Sequence, residues 1–363
     1  MTVKVVTIIG ARPQFIKASA LARVIRNDYA GKIEEVLVHT GQHYDENMSR
    51  IFFDELDIPK PKHNLKISGG HHGAMTGRML EAVETVLLQE KPDWVLIYGD
   101  TNSTLAGALA AAKLHIPVVH VEAGLRSFNM RMPEELNRVV SDRISTLLLC
   151  PTDTAVKNLK HEGITQGVHN VGDVMYDVAL FYRDRARQLS TALSDWKLSP
   201  RSFSLATCHR AENTDDPVRL GEILAALSDL ALTMPVILPM HPRTRKLVDQ
   251  YSLTKFLGHI TITEPLPFLD MIALEQAARF ILTDSGGVQK EAFFYGVPCI
   301  TMRDETEWVE TVEMGANRLV GASRAAISEA VSRLLYADSE ACSVNPYGDG
   351  KAAQKAVATL LNH

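Results

Sequence analysis

The chain has 363 residues, of which 46% are hydrophobic and 22% charged, and its formal net charge is -5 at pH 7. That length exceeds one ordinary hydrophobic core and suits two α/β domains, and the composition excludes a disordered chain. The mildly acidic balance supplies no basic field for nucleic acid or for an anionic membrane surface.

The N-terminus runs directly into an apolar strand, Val3–Ile9, without the layout of a secretory signal. No stretch is long and apolar enough to span a bilayer, so the expected location is the cytoplasm, with no membrane partner. Further apolar runs at Ile33–Val38, Trp94–Tyr98, Pro117–Val121 and Thr146–Leu149 read as buried strands. Amphipathic helices at Phe15–Arg26, Met75–Gln89, Leu105–Leu114 and Leu136–Ser145 separate them. Near-continuous apolar strands alternating with helices specify a parallel sheet covered on both faces. A second series follows Asn170-Val171-Gly172, with strands at Ser202–Thr207, Val236–Pro239, His259–Thr263, Phe280–Leu282 and Pro298–Thr301. Its helices fall at Leu220–Leu232, Phe268–Ala277 and Val288–Tyr295, and a turn at Asn345–Gly350 precedes a last helix, Ala352–Leu361. The pattern predicts an α/β chain of two Rossmann-like doubly wound domains, 1–172 and 173–348. Ligands bind beyond the carboxyl ends of such strands, so the site is expected in the cleft between the domains.

Polar residues that directly follow strands are therefore the candidates. The turn Gly10-Ala11-Arg12-Pro13-Gln14-Phe15-Ile16-Lys17 closes the first strand, and Pro13 suits a first helical position. A lone Arg there would be a solvated charge, but Arg12 with Lys17 favours contact with a phosphate or carboxylate. Three acids stand where proton transfer is plausible chemistry: Asp100 and Glu122 end strands, and Glu134 opens a helix beside Glu135. The blander readings are an N-cap for Asp100 and a helix-dipole partner for Glu134. Glu122 has neither, because Ala123-Gly124 begin no helix.

In the second series, His209-Arg210-Ala211-Glu212-Asn213 and His241-Pro242-Arg243 follow successive strands, and Arg303 follows another. One strand-end His is usually a structural hydrogen-bonder; two at equivalent places, each with an Arg, favour anion handling. The sharpest local signal is Thr283-Asp284-Ser285-Gly286-Gly287-Val288-Gln289-Lys290-Glu291, between a strand and a helix. A capping Ser would explain part of it. Two glycines at a helix start exceed what capping requires and suit close approach of a phosphate to free N–H groups. Glu291 lies one turn in, where its carboxylate suits ribose hydroxyls.

Other chemistries lack their residues. No G-x-G-x-x-G or Walker A spacing occurs, and Gly69-Gly70-His71-His72-Gly73 fits neither, so a nicotinamide enzyme and a P-loop phosphotransferase are unsupported and no cofactor is expected. His39 and His43 sit on a loop, and His120-Val121-Glu122 lacks the P-C-x-x-C of a zinc deaminase; no metal site is expected. Cys150, Cys208, Cys299 and Cys342 are scattered, which fits a reduced compartment, and Cys208 reads as a packed thiol.

The motifs GARPQFIK, TGQH, YGDTNSTLAG, HVEAGLRS, PEELNR, HRAEN, HPR, LTDSGGVQKEA, GVPCITMRDETEW and YGDG occur in one order over nearly the whole chain. Together they resemble the non-hydrolysing UDP-N-acetylglucosamine 2-epimerases. The resemblance implies a glycosyltransferase-B-type fold with the C-terminal helix, 349–363, crossing back onto the first domain, and it implies a homodimer acting on a UDP-sugar. By matching motifs it makes Asp100, Glu122, Glu134 and His209 catalytic. Arg12, Lys17, Arg138 and His241 become active-site partners of the substrate; Ser285, Gly286 and Gly287 bind phosphate, Glu291 binds ribose, and Arg303 faces the substrate. Gln14, Ala211, Trp308-Val309 and the segment Ser127–Met132 depart from the best-known members. So do the residues near Gln42–His43, His71 and Arg210, in a family whose better-known branch has a second substrate molecule as activator. These variants resemble the branch that acts on UDP-2,3-diacetamido-2,3-dideoxy-glucuronic acid, whose sugar carboxylate would suit Arg131. Rival readings are the UDP-N-acetylglucosamine enzyme itself, a glycosyltransferase of the same fold and a non-catalytic nucleotide-sugar sensor.

Overall fold

Apolar runs too short for helices and too continuous for half-exposed strands become parallel strands buried on both faces. In the computed structural model, which describes residues 2–41, 58–336 and 345–363, two sheets result. Gln42, His43 and Cys342 lie outside the described residues. The first sheet comprises β1 (Val3–Ile9), β2 (Ile33–His39), β3 (His63–Asn64), β4 (Trp94–Tyr98), β5 (Val118–Val121), β6 (Leu147–Cys150) and β7 (Val168–Asn170), in the order β3-β2-β1-β4-β5-β6-β7. The second comprises β8 (Ser204–Thr207), β9 (Val236–Pro239), β10 (Thr261–Thr263), β11 (Ile281–Thr283), β12 (Cys299–Thr301) and β13 (Asn317–Leu319), ordered β10-β9-β8-β11-β12-β13.

Val6 and Ile8 of β1 and Val36 and Val38 of β2 pack with Val83 and Leu87 of the helix His72–Glu90. Ala108 and Ala111 of the helix Asn102–Lys113 complete that core. In the second sheet Leu238, Phe280, Leu282 and Ile300 meet Leu220, Ile223, Leu224 and Leu227 of the helix Pro217–Ala231. Strand order reverses between β1 and β4 in one sheet and between β8 and β11 in the other. Loops diverge at such reversals and leave a crevice at the strand ends.

The chain divides into two compact units, Met1–Val178 with Asn345–His363, and Ala179–Val344. The division falls inside the helix Val174–Leu189, past the Gly172 turn. The last helix, Ala352–Leu361, belongs to the first unit and packs on the helix Arg12–Asp28. Asp177 fixes its start by accepting the N–H groups of Ala352 and Ala353, at 3.0 and 2.8 Å. Among the described residues no helix is long and apolar enough to cross a membrane.

Several helices begin before their hydrophobic period does, at Arg12, His72, Asn102, Pro133 and Gly286. A first turn needs exposed or capped N–H groups, so it is polar and escapes periodicity.

Candidate active site

In the first unit the turn after β1 is held by Gln14, which is 1% exposed. Its side-chain oxygen accepts the N–H groups of Gly10 and Ala11, at 2.8 and 3.0 Å. Its amide nitrogen donates to the Tyr98 carbonyl and to Thr104 Oγ1, at 2.9 and 3.0 Å. One side chain thereby ties the ends of β1 and β4 to a helix start. Arg12, half-buried, opens the helix Arg12–Asp28. Lys17, one turn in and 7% exposed, donates to Glu122 Oε1 at 2.5 Å.

Glu122 follows β5 with φ 71°, a left-handed backbone that non-glycine residues avoid. Its N–H and that of Ala123 both reach the Leu149 carbonyl, at 3.0 and 3.2 Å, which holds the strained turn in place. Gly99, at φ 61°, lies beneath the ion pair, and a Cβ there would stand 3.3 Å from Lys17 Nζ.

Asp100 is not the helix cap. Thr101 takes that place, with its side chain accepting the Thr104 N–H, and this releases the Asp100 carboxylate to pair with Arg138. Arg138, 3% exposed, also donates to Glu135 at 2.6 Å. The buried Glu135 accepts N–H groups from Ser127 and Phe128, at 3.1 and 2.8 Å, and so anchors the loop that bears the exposed Arg131. Glu134 is half-buried in the first turn of the helix Pro133–Ile144. Asn137 donates to the Asp100 carbonyl at 2.9 Å and to Asn102, which in turn meets His72 Nδ1 at 3.2 Å. One network thus gathers Asp100, Arg138 and Glu135, and one ion pair joins Lys17 to Glu122.

In the second unit the central group is one that sequence reasoning passed over. Asp284, at the end of β11 and 0% exposed, accepts the backbone N–H groups of His209 and Arg210, each at 2.9 Å. It thereby fixes the turn after β8, and its carboxylate lies 3.4 Å from His209 Nδ1. His241 caps the helix Pro242–Gln250: its Nδ1 accepts the Arg243 N–H at 3.2 Å, which leaves the ring proton on Nε2. Burial first, then the charges of His209 and Arg243, hold its proton affinity below the ordinary histidine range.

Ser285 does cap the helix Gly286–Phe294, accepting the Val288 N–H at 3.5 Å. The glycines that follow differ in kind. A Cβ on Gly286 would lie 2.8 Å from Glu307 Oε1 and 3.2 Å from Trp308 Nε1, whereas on Gly287 it would meet only ordinary contacts at 3.8 and 3.9 Å. Packing explains the first glycine, whereas no contact among the described residues requires the second. Glu291 is half-buried in the next turn.

Arg303 is enclosed rather than open: at 0% exposure it donates to Glu307 at 3.0 Å and pairs with Glu212 at 3.4 Å. The chain's Trp308 carries Lys290 over its ring, Nζ 3.8 Å from the centroid, a cation–π contact inside the fold. Burial pushes the Cys208 thiol well above its ordinary range, as suits a packed group. Among the described residues no cluster of three or more His, Cys, Asp or Glu side chains is set to hold a metal.

Motif reasoning missed Gln14 and Asp284 because the partners that define them, Tyr98 and Thr104 for one and His209 and Arg210 for the other, lie far away in sequence; it missed Glu135 although Ser127, Phe128 and Arg138 are near neighbours in the chain. The one local hint was an acid at the end of β11.

A family model described as UDP-N-acetylglucosamine 2-epimerase matches residues 26–361. A Pseudomonas aeruginosa protein named UDP-2,3-diacetamido-2,3-dideoxy-D-glucuronate 2-epimerase is 53% identical over 97% of this chain and 98% of its own. A Methanocaldococcus jannaschii UDP-N-acetylglucosamine 2-epimerase is 44% identical over 98% of both chains. A crystal structure of the Methanocaldococcus jannaschii enzyme in complex with UDP-GlcNAc and UDP aligns over 100% of both chains, with a TM-score of 0.92 and 43% identity. The fold of two parallel-sheet units is therefore of the glycosyltransferase-B type.

Proposed function

The chain belongs to the UDP-N-acetylglucosamine 2-epimerase family, and from that premise we propose that this UDP-sugar 2-epimerase inverts C2 of UDP-2,3-diacetamido-2,3-dideoxy-D-glucuronic acid, giving the manno isomer. The C2 proton is not acidic, since no ketone stands beside it, and direct deprotonation would create a free carbanion. Breaking the bond from C1 to the diphosphate oxygen as a base takes the C2 proton avoids that. The C–H electron pair forms the C1=C2 double bond, and UDP leaves with the electrons of its own bond. The resulting 2-acetamidoglycal then takes UDP back at C1 while an acid protonates the opposite face of C2. Electrons balance without an oxidant or reductant.

One observation carries the proton-transfer assignment: Asp100 and Glu122 end neighbouring strands, and each is held by a buried cation, Arg138 or Lys17. Glu134 stands with them as the third acid. In the second unit the helix start at Ser285–Gly287, with His209 and His241, receives the diphosphate as charge develops on it. Arg12 is the first unit's candidate cation for a phosphate, Glu291 takes the ribose, and Arg303 acts through Glu307 and Glu212 rather than by contact. The substrate assignment is supported by the likeness to the Pseudomonas aeruginosa protein and by the exposed cation Arg131, which suits a sugar carboxylate.

The test is a side-by-side assay of UDP-2,3-diacetamido-2,3-dideoxy-glucuronate and UDP-N-acetylglucosamine in D2O. The diacetamido acid should be turned over with deuterium entering at C2. Turnover of UDP-N-acetylglucosamine alone would establish the second reading, which the archaeal relatives support. The assembly we propose is a homodimer, and light scattering reads its mass.

A further inference from the structure

His120 lies within β5, 0% exposed, and its H-x-E spacing fits no metal site. Its ring is bonded at both nitrogens. Nε2 stands 2.7 Å from the Gly99 carbonyl oxygen, and Nδ1 stands 2.7 Å from Asp142 Oδ1. A carbonyl only accepts, so Nε2 donates. Burial would raise the proton affinity of Asp142, but the hydrogen bonds and charges of His120 and Arg126 outweigh it and keep the group a carboxylate. One proton therefore bridges Nδ1 and the Asp142 oxygen across 2.7 Å.

The other Asp142 oxygen accepts the Gly124 N–H at 3.1 Å and Arg126 Nη1 at 2.7 Å, and Arg126 closes the row with Nε on Glu162 at 2.6 Å. The row thus runs from the buried His120, Asp142 and Arg126 out to the exposed Glu162, and each buried member has its partner, which makes such a row tolerable away from water. The two ends of its inner part matter most. Gly99 immediately precedes Asp100, and Gly124 closes the strained turn that begins at Glu122.

We infer that the His120–Asp142 pair is a strut between the turn carrying Asp100 and the turn carrying Glu122, setting their separation for proton transfer. It is a positioning device, since neither residue need touch the sugar. The inference rests on the proton-transfer roles proposed above for Asp100 and Glu122. Misplacing a proton-transfer group by a fraction of an ångström slows the chemical step while leaving ground-state binding largely alone.

The test compares the full-length enzyme with its His120→Ala and Asp142→Asn variants. Asp142→Asn preserves the spacing, because the new amide can donate to His120 Nδ1 and accept from Gly124. It should keep most of the turnover. His120→Ala should lose about 10- to 100-fold in kcat with little change in KM. Its kinetic isotope effect on C2-deuterated substrate should rise, and added imidazole should restore part of the rate. A folded His120→Ala variant with unchanged kcat and isotope effect would overturn the inference. If that variant does not fold, His120→Gln and His120→Asn decide, since neither side chain reaches both partners: a lowered kcat with a raised isotope effect supports the strut, and wild-type values sink it. Failure of the functional reading looks different. Wild-type enzyme would then put no deuterium at C2 of either UDP-sugar.

Discussion

The turns after β4 and β5 in the first unit and those after β8 and β11 in the second lie at or one strand from a reversal of strand order, yet their side chains are arranged in opposite ways. In the first unit the candidate acids are already engaged: Lys17 holds Glu122, Arg138 holds Asp100, and both cations are buried. In the second the buried acid, Asp284, spends its oxygens on backbone N–H groups, while His209 and His241 remain exposed beside a helix start with a sterically unconstrained glycine. Groups fixed before a ligand arrives suit proton transfer, whose rate depends on geometry. Groups left open suit an anion that must be gripped and released.

The comparison breaks first at the acids. Glu122→Gln and Asp100→Asn should each lower kcat by about 100- to 10,000-fold, with UDP affinity near wild type by calorimetry. A parallel loss of UDP binding would mean that the first unit grips the nucleotide itself. Lys17→Met should remove the buried cation that holds the Glu122 carboxylate, destabilising the protein by about 3–5 kcal/mol in denaturant titration. In the second unit Gly287→Ala should weaken UDP binding about tenfold while leaving the melting temperature unchanged, since a methyl there meets only ordinary contacts. An unchanged Kd would remove the reason for placing a phosphate at that turn.

Finer tests sharpen the contrast. The acid limb of UDP binding should reflect His241 and lie below the ordinary histidine range; in His209→Gln, where one lowering charge is gone, that limb should move upward. Arg131→Ala should cost more kcat/KM on the diacetamido acid than on UDP-N-acetylglucosamine, and equal losses would leave Arg131 as a rim charge. The smallest effect concerns stability away from both sites. Hydrogen bonds from Lys4, Lys62 and His63 lower the Glu90 carboxyl from 4.5 to about 2. The stability it supplies is complete above pH 4.5 and is lost as pH falls toward 2, so Glu90→Gln should flatten the acid limb of a melting-temperature profile over that window.

The interior strands were legible because burial on both faces forces a near-continuous apolar run, as in Val3–Ile9 and Trp94–Tyr98. The edge strands β3, β7 and β13 were not, since His63–Asn64, Val168–Asn170 and Asn317–Leu319 are short and partly polar. Motifs placed Asp100, Glu122 and the glycine turn at strand ends, and of the two readings of Asp100 the structure removes the cap, which Thr101 supplies; they gave no sign that Glu307 and Glu212 enclose Arg303. What no local pattern could reveal was the set of long-range braces, Gln14, His120 with Asp142, and Asp284. Each is defined by what folding brings to it rather than by its neighbours in the chain.

Gln14 has one more consequence. A glutamate there could still receive the Gly10 and Ala11 N–H groups, but it would turn an oxygen without hydrogen toward the Tyr98 carbonyl, now 2.9 Å from an amide donor. Swapping the two side chains is therefore not a neutral step for a drifting lineage: the exchange must arrive together with a proton on the new carboxyl, or with a reshaped end of β4. A position that looks interchangeable between acid and amide acts here as a latch on the history of the sequence.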